Sequence, residues 1–169
     1  MTDYYVFRHG DTRDSGNLLT RIIGHMSDSH GLPILPKGIP ALEKIGGYLK
    51  NIPTDANFCS PYLRCTDSAK IAGTIAKKIF VPDERLKEME HGESFSSLLT
   101  RVKDFLNEID KKNYSAVSVC THGAVIAAIK HLKTNGKFFF FQVIDYPRPG
   151  NLIIIKNGKV EDLDFNGKD

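Results

Sequence analysis

Two short stretches hold the residues of this sequence best suited to chemistry. In Tyr4-Tyr5-Val6-Phe7-Arg8-His9-Gly10-Asp11-Thr12 an aromatic and β-branched run breaks off into Arg-His-Gly. In Ala116-Val117-Ser118-Val119-Cys120-Thr121-His122-Gly123 a second such run ends in His-Gly and passes into an apolar, helix-like segment. Aromatic and β-branched residues favour strands, and in both stretches the reactive side chains begin where that preference stops. Gly10 lets the backbone turn sharply and lets a ligand approach it closely. If the two strands lie side by side, His9 and His122 meet at one edge of a sheet.

A third stretch, Ser60-Pro61-Tyr62-Leu63-Arg64, places an arginine one turn into a predicted helix. In open α/β sheets ligands sit outside the carboxyl ends of the strands. Arg8, Arg64, His9 and His122 converging there make an anion pocket, and guanidinium forks match phosphate oxygens bidentately. The helix starts after positions 60 and 123 add free N–H groups and the positive ends of their dipoles. Two unit charges about 4 Å apart interact by about 4 kcal/mol at an effective dielectric near 20, so two arginines pull strongly on a phosphate dianion. They also disfavour protonation of a neighbouring histidine, and a neutral histidine in that setting can act as a nucleophile. Thr12, Thr121 and Gly123 can contribute hydrogen bonds to phosphate or serve only the local backbone.

The elements that must position these groups follow from periodicity. Residues 11–34 show little of it and read as a long loop over the site, a length uncommon without a function. A helix is predicted from about Pro36 to Asn51, with Leu42, Ile45, Leu49 and Ile52 as its apolar stripe. Asn57 to Ser60 is a short strand. Ser60 as N-cap and Pro61 at the first helical position open a helix to about Phe80, with Ala72, Ile75, Ala76 and Ile79 inward and Val81-Pro82 ending it. Residues 83–93 are acidic and irregular. The helix from about Ser94 to Lys111 has the cleanest pattern, with Phe95, Leu98, Leu99, Val102, Phe105, Leu106 and Ile109 at three- and four-residue spacing. The Cys120 strand and a buried helix from Ala124 to Lys133 follow. Phe138 to Ile144 reads as a core strand. Leu152–Lys156 and Lys159–Phe165 form a hairpin on the turn Asn157-Gly158. Strands alternating with helices predict an α/β fold, a three-layer α/β/α sandwich with a mostly parallel sheet and one antiparallel edge strand.

Composition bounds the rest. The 169 residues fit a single domain over 1–169 able to bury a proper core. A net charge of +3 without a Lys/Arg block permits an anionic small molecule but does not argue for nucleic acid. No apolar stretch reaches the length of a membrane span, and the N-terminus lacks a signal pattern. The expectation is a cytoplasmic protein without a membrane or nucleic-acid partner. Cys59, Cys65 and Cys120 form no C-x-x-C pair and read as free, buried thiols of a reducing compartment. None is a cysteine-phosphatase nucleophile, because the residues six positions on are Cys65, Ile71 and Ile126 rather than arginine. His25 and His30 do not have a metal spacing, and with His131 they read as surface residues; His91 is either lining or exposed.

Taken in order, these motifs resemble the histidine phosphatase superfamily, the phosphoglycerate mutase-like group. Arg8-His9-Gly10-Asp11-Thr12 matches R-H-G-[ED]-[TS]. Ser60-Pro61-Tyr62-Leu63-Arg64-Cys65-Thr66-Asp67-Ser68-Ala69 matches S-P-x-x-R-x-x-x-[ST]-A. Arg85-Leu86-Lys87-Glu88 resembles R-L-x-E, Gly92-Glu93-Ser94-Phe95 with Arg101 beyond resembles G-E-S-F, and Thr121-His122-Gly123 matches the second histidine. The sequence departs from the pattern in three places. Position 15 is Ser where Asn is usual, with Asn17 nearby. Ile34-Leu35-Pro36-Lys37-Gly38 lacks the usual Thr cap, and Glu88 lies only five positions before Glu93.

The resemblance implies that His9 attacks phosphorus and becomes a phosphohistidine. It implies that Arg8, Arg64 and His122 bind the phosphoryl oxygens, and that Glu88 protonates the leaving oxygen and then activates water. Glu84, Glu90 and Glu93 compete with Glu88 for that role. No metal or cofactor is implied. The expected activity is that of a phosphomonoesterase on a small phosphorylated metabolite or on phosphohistidine in a protein. The short chain favours this over a phosphoglycerate mutase-type phosphotransferase, since the mutases of the group are longer. From a different class, a non-catalytic phospholigand-binding module keeps the pocket without turnover.

Overall fold

The computed structural model describes residues 1–13, 30–90 and 92–167. Six strands form one sheet: β1 (Asp3–Arg8), β2 (Ala56–Cys59), β3 (Val81–Pro82), β4 (Ala116–Thr121), β5 (Asn151–Lys156) and β6 (Lys159–Asp164), in the order β3-β2-β4-β1-β5-β6. β1, β2, β3 and β4 pair in parallel. The C-terminal hairpin is the antiparallel edge, and within it β5 alone runs against the others. Its turn residues Asn157 and Gly158 both have positive φ, the conformation a two-residue hairpin turn requires.

Helices cover both faces, so the architecture is the three-layer α/β/α sandwich. On one face lie α1 (Ile39–Lys50) and α2 (Leu63–Ala76). Their buried Leu42, Ile45, Leu49, Ala69 and Ala72 pack on Tyr5, Phe7, Cys120 and Ile154 of the sheet. On the other face lie α3 (Phe95–Lys111) and α4 (Gly123–Asn135). There Leu98, Val102, Phe105, Val125 and Ile129 meet Tyr4, Val6, Val117, Val119 and Ile153. Full burial of each such large side chain contributes roughly 1.5–3 kcal/mol, and these two cores hold the strand ends in place. Ser94 caps α3 by accepting the Ser97 N–H at 3.1 Å.

Four expected elements differ. The first helix opens as a 3-10 turn, Pro36–Gly38, and becomes α-helical only at Ile39. Ser60 does not cap α2, which starts at Leu63 after Tyr62, because the Ser60 hydroxyl is turned toward His122. α2 stops at Ala76, where Lys77 adopts positive φ and the chain folds back against Gly73; Ile79 is therefore exposed, Ile75 is on the outer side of the helix, and Val81–Pro82 is the edge strand β3. A proline is tolerated there because one side of an edge strand needs no partner. Lastly, Phe138–Ile144 is not a core strand. Only Phe138 is buried, while Phe140–Ile144 is a 3-10 helix that lays Phe139, Phe140, Phe141 and Ile144 on the surface. The four consecutive aromatics carry strand propensity but no period, and α4 already fills the core beneath them. The loop expected over 11–34 falls largely outside the described residues, as does His91.

Candidate active site

The site is built at the carboxyl ends of β1, β4 and β2. Arg8 stands opposite Thr121 in the β1–β4 register. Backbone bonds extend the pairing one step beyond the strands: His9 N–H to the Thr121 carbonyl at 3.1 Å and Ser60 N–H to the Cys120 carbonyl at 2.9 Å. This brings the His9 and His122 rings to 5.2 Å between centroids, tilted by 58°. Both histidines, Ser60 and Arg64 are buried.

His9 has a defined tautomer. Its Nδ1 lies 2.8 Å from the Gly10 carbonyl, and a carbonyl only accepts, so Nδ1 carries the proton and Nε2 keeps its lone pair. Burial first, then Arg8 and Arg64, hold the ring's pKa well below 6.5. His122 is shifted the same way by burial, with Arg64, His9, Arg8 and Arg101 adding to it. Its Nε2 is 2.7 Å from Ser60 Oγ and 3.4 Å from Cys65 Sγ.

Arg64 is fixed from behind. The Gly10 N–H donates to Ser68 Oγ at 2.9 Å, and the Ser68 hydroxyl donates to the Arg64 carbonyl at 2.6 Å. One serine thus ties the turn after β1 to the first turn of α2. Gly10 does not have the positive φ that a sharp turn would demand. It is close-packed instead, since a Cβ there would stand 3.0 Å from Leu42 Cδ1. Arg8 lies with its guanidinium carbon 4.9 Å from the Tyr146 ring centre, and its Nη1 donates to the Pro147 carbonyl. The Tyr146 ring rests on the start of α4, where a Cβ at Gly123 would come within 2.8 Å of it. Thr12 is buried two residues beyond Gly10.

The acidic loop separates its four glutamates. Glu88 Oε2 is 3.9 Å from His122 Nδ1. Glu84 is exposed and paired with Lys87. Glu90 accepts the Tyr62 hydroxyl at 2.6 Å. Glu93 is clamped by Arg101 through Nε at 2.7 Å and Nη2 at 2.9 Å, which lowers its pKa against the opposing effect of burial. Arg101 also donates to the carbonyls of Arg85, Lys87 and Glu88, and the Thr121 hydroxyl donates to the carbonyl of Leu86 at 2.6 Å. The loop is therefore pinned to α3 and β4, with Glu88 turned toward His122. The three cysteines are buried; burial and Cys65 push the Cys59 thiol up to about 12, and Cys120 also lies well above 9. His131 is not a surface residue: its Nε2 meets Asp145 at 2.7 Å and its side chain is only 12% exposed.

The profile of the histidine phosphatase superfamily, branch 1, matches residues 4–93 and 89–155. The chain belongs to this superfamily. No curated protein sequence matches it. Among solved structures it is similar to the alpha-ribazole phosphatase of Shigella flexneri, with a TM-score of 0.72 over 98% of this chain and 96% of that one. It is also similar to a mycobacterial glucosyl-3-phosphoglycerate phosphatase, with a TM-score of 0.74 over 90% and 89%. A phosphoglycerate mutase from Bacillus anthracis gives 0.65 over 98% and 92%. Identity is 15% in each case, so what these structures share with this histidine phosphatase family member is the fold.

At this candidate site, reasoning from sequence singled out the charged and reactive groups and missed several that hold them: Ser60, Tyr62, Ser68 and Tyr146. Ser60 and Ser68 were visible as members of the S-P-x-x-R-x-x-x-[ST]-A motif. Tyr62 and Tyr146 carry no signal of spacing, because their contacts reach across the fold. Among the described residues no helix is long and apolar enough to cross a membrane.

Proposed function

We propose that this protein is a phosphomonoesterase that works through a phosphohistidine on His9, without a metal ion. One observation carries the reading: His9 is a buried neutral imidazole whose Nδ1–H is committed to the Gly10 carbonyl, leaving a free Nε2 lone pair beside Arg8 and Arg64. In the proposed first step Nε2 forms a bond to phosphorus as the ester P–O bond breaks. Arg8, Arg64 and His122, helped by Thr12 and the N–H of Gly123, bind the phosphoryl oxygens and offset their growing charge. Glu88 gives its proton to the leaving oxygen. In the second step Glu88 takes a proton from water, the water oxygen bonds to phosphorus, and the P–N bond breaks to release inorganic phosphate. Glu88 is favoured over Glu84, Glu90 and Glu93 because it faces His122, whereas the others are paired elsewhere.

The substrate is proposed to be a small phosphorylated metabolite or phosphohistidine in a protein. Chain length does not separate phosphatase from mutase, since this chain spans 92% of the Bacillus anthracis mutase. The test is hydrolysis of p-nitrophenyl phosphate in the presence of a chelator, followed by a screen of phosphorylated metabolites and phosphohistidine peptides. Turnover abolished in His9→Ala is expected. Transfer of phosphate between two positions of a glycerate would make it a mutase. Tight phosphate binding with no turnover on any phosphoester would make it a binding module.

A further inference from the structure

Tyr62 has no part in the steps above, yet it touches both halves of the pocket. It is 4% exposed. Its ring meets the His122 ring edge-on at 5.2 Å, lies 5.1 Å from the Arg64 guanidinium carbon, and stacks on His30 at 4.3 Å. Its hydroxyl donates to Glu90 Oε1 at 2.6 Å, a short charge-assisted bond of the stronger kind. Glu90 lies two residues beyond Glu88 on a loop whose inner side is held by Arg101 at the carbonyls of residues 85, 87 and 88.

We infer that Tyr62 is a positioning residue for the proton donor: its bond to Glu90 anchors the outer end of the loop and so sets where Glu88 stands over the leaving oxygen. The inference rests on the reading of Glu88 as the acid. The Glu90 backbone is tied at 3.2 Å to Glu93, which Arg101 clamps; Tyr62 holds the Glu90 side chain from the pocket side, and between the two the Glu88 carboxylate keeps a fixed height. Because the same tyrosine packs on His122 and Arg64, the anchor moves with the phosphate pocket and not with the surface. Small misplacements of an acid are costly, since proton transfer needs hydrogen-bond reach.

The test is leaving-group dependence. kcat/KM reports the steps up to departure of the leaving oxygen. A p-nitrophenolate departs with little help from an acid, whereas an alkoxide needs the proton. In Tyr62→Phe, kcat/KM on an alkyl phosphate is expected to fall about tenfold more than on p-nitrophenyl phosphate. Glu90→Ala should reproduce that signature, and the double variant should fall no further. Glu90→Gln, which keeps an acceptor oxygen for the tyrosine, should restore most of the loss. The half-exposed Glu90 variants read the same bond should Tyr62→Phe fail to fold. Equal losses on both substrates, or none, in Tyr62→Phe and Glu90→Ala would overturn the inference while a leaving-group-dependent loss in Glu88→Gln left the acid assignment standing. Equal losses in Glu88→Gln itself would overturn that assignment and the inference with it.

Discussion

The Ser60 hydroxyl lies 2.7 Å from Nε2 of His122, so the residue that ends one strand holds the ring that ends its neighbour. Ser60 also accepts the Tyr62 N–H, which fixes the direction of the hydroxyl. The consequence for the chain is visible in α2, whose start is displaced past the serine that would otherwise cap it.

Ser60→Ala is therefore expected to act on the site more than on the helix. It leaves a fully buried imidazole nitrogen short of its oxygen partner, which costs about 1–3 kcal/mol. Urea unfolding should show that loss as a lower midpoint with an unchanged slope, and kcat should fall with it. A loss of stability with full activity would mean that the bond serves only the fold.

Arg101→Met should release the acidic loop. The guanidinium holds one carboxylate and three backbone carbonyls, and bonds to charged groups contribute about 1.5–3 kcal/mol each. An activity loss of about 10–100-fold follows if one such contribution bears on the transition state. The check is kcat/KM for a phosphomonoester, with phosphate affinity measured separately. Affinity should fall less than kcat/KM, because Arg101 bonds to the loop and acts on the phosphate pocket only through its charge near His122.

Much of this was legible in the sequence because it depends on order along the chain. The β1 and β4 runs, each strand-like and ending in a histidine, lie side by side as their composition suggests, and the apolar period of α3 matches its buried face. The acid was harder to read, since four glutamates within ten residues look alike until Arg101, Lys87 and Tyr62 take three of them. The Phe138–Phe141 run misleads for a physical reason. Propensity measures what a residue tolerates, and whether it is buried depends on α4, which had already filled that space.

Gly123→Ala should clash with the Tyr146 ring, against which a Cβ would lie at 2.8 Å. Overpacking of this kind costs about 1–3 kcal/mol. The displaced ring would no longer lie over Arg8, so weaker phosphate binding is expected alongside the lost stability. Adding Tyr146→Ala should recover stability but not phosphate affinity, as read by thermal melts and by phosphate titration.

Acid should destabilise the fold through His9 and His122. Both have pKa values held well below 6.5 in the folded state, so below about pH 6.5 the unfolded chain binds protons that the folded chain does not. The stability they supply is complete above that pH and is lost as the pH falls through the unfolded value toward the depressed folded one. The slope is about 1.4 kcal/mol per pH unit for each histidine. Urea unfolding between pH 7 and 5 should show it, and His9→Gln should remove one histidine's share of the slope.

A phosphohistidine on His9 is tested by capture of the covalent intermediate. The protein is mixed with a labelled phosphomonoester, quenched in alkali within a turnover, digested and sequenced by mass spectrometry. An acid-labile, alkali-stable phosphoryl group on His9 is expected, absent in His9→Ala. Label on another residue, or full turnover in the His9→Ala variant, would contradict it.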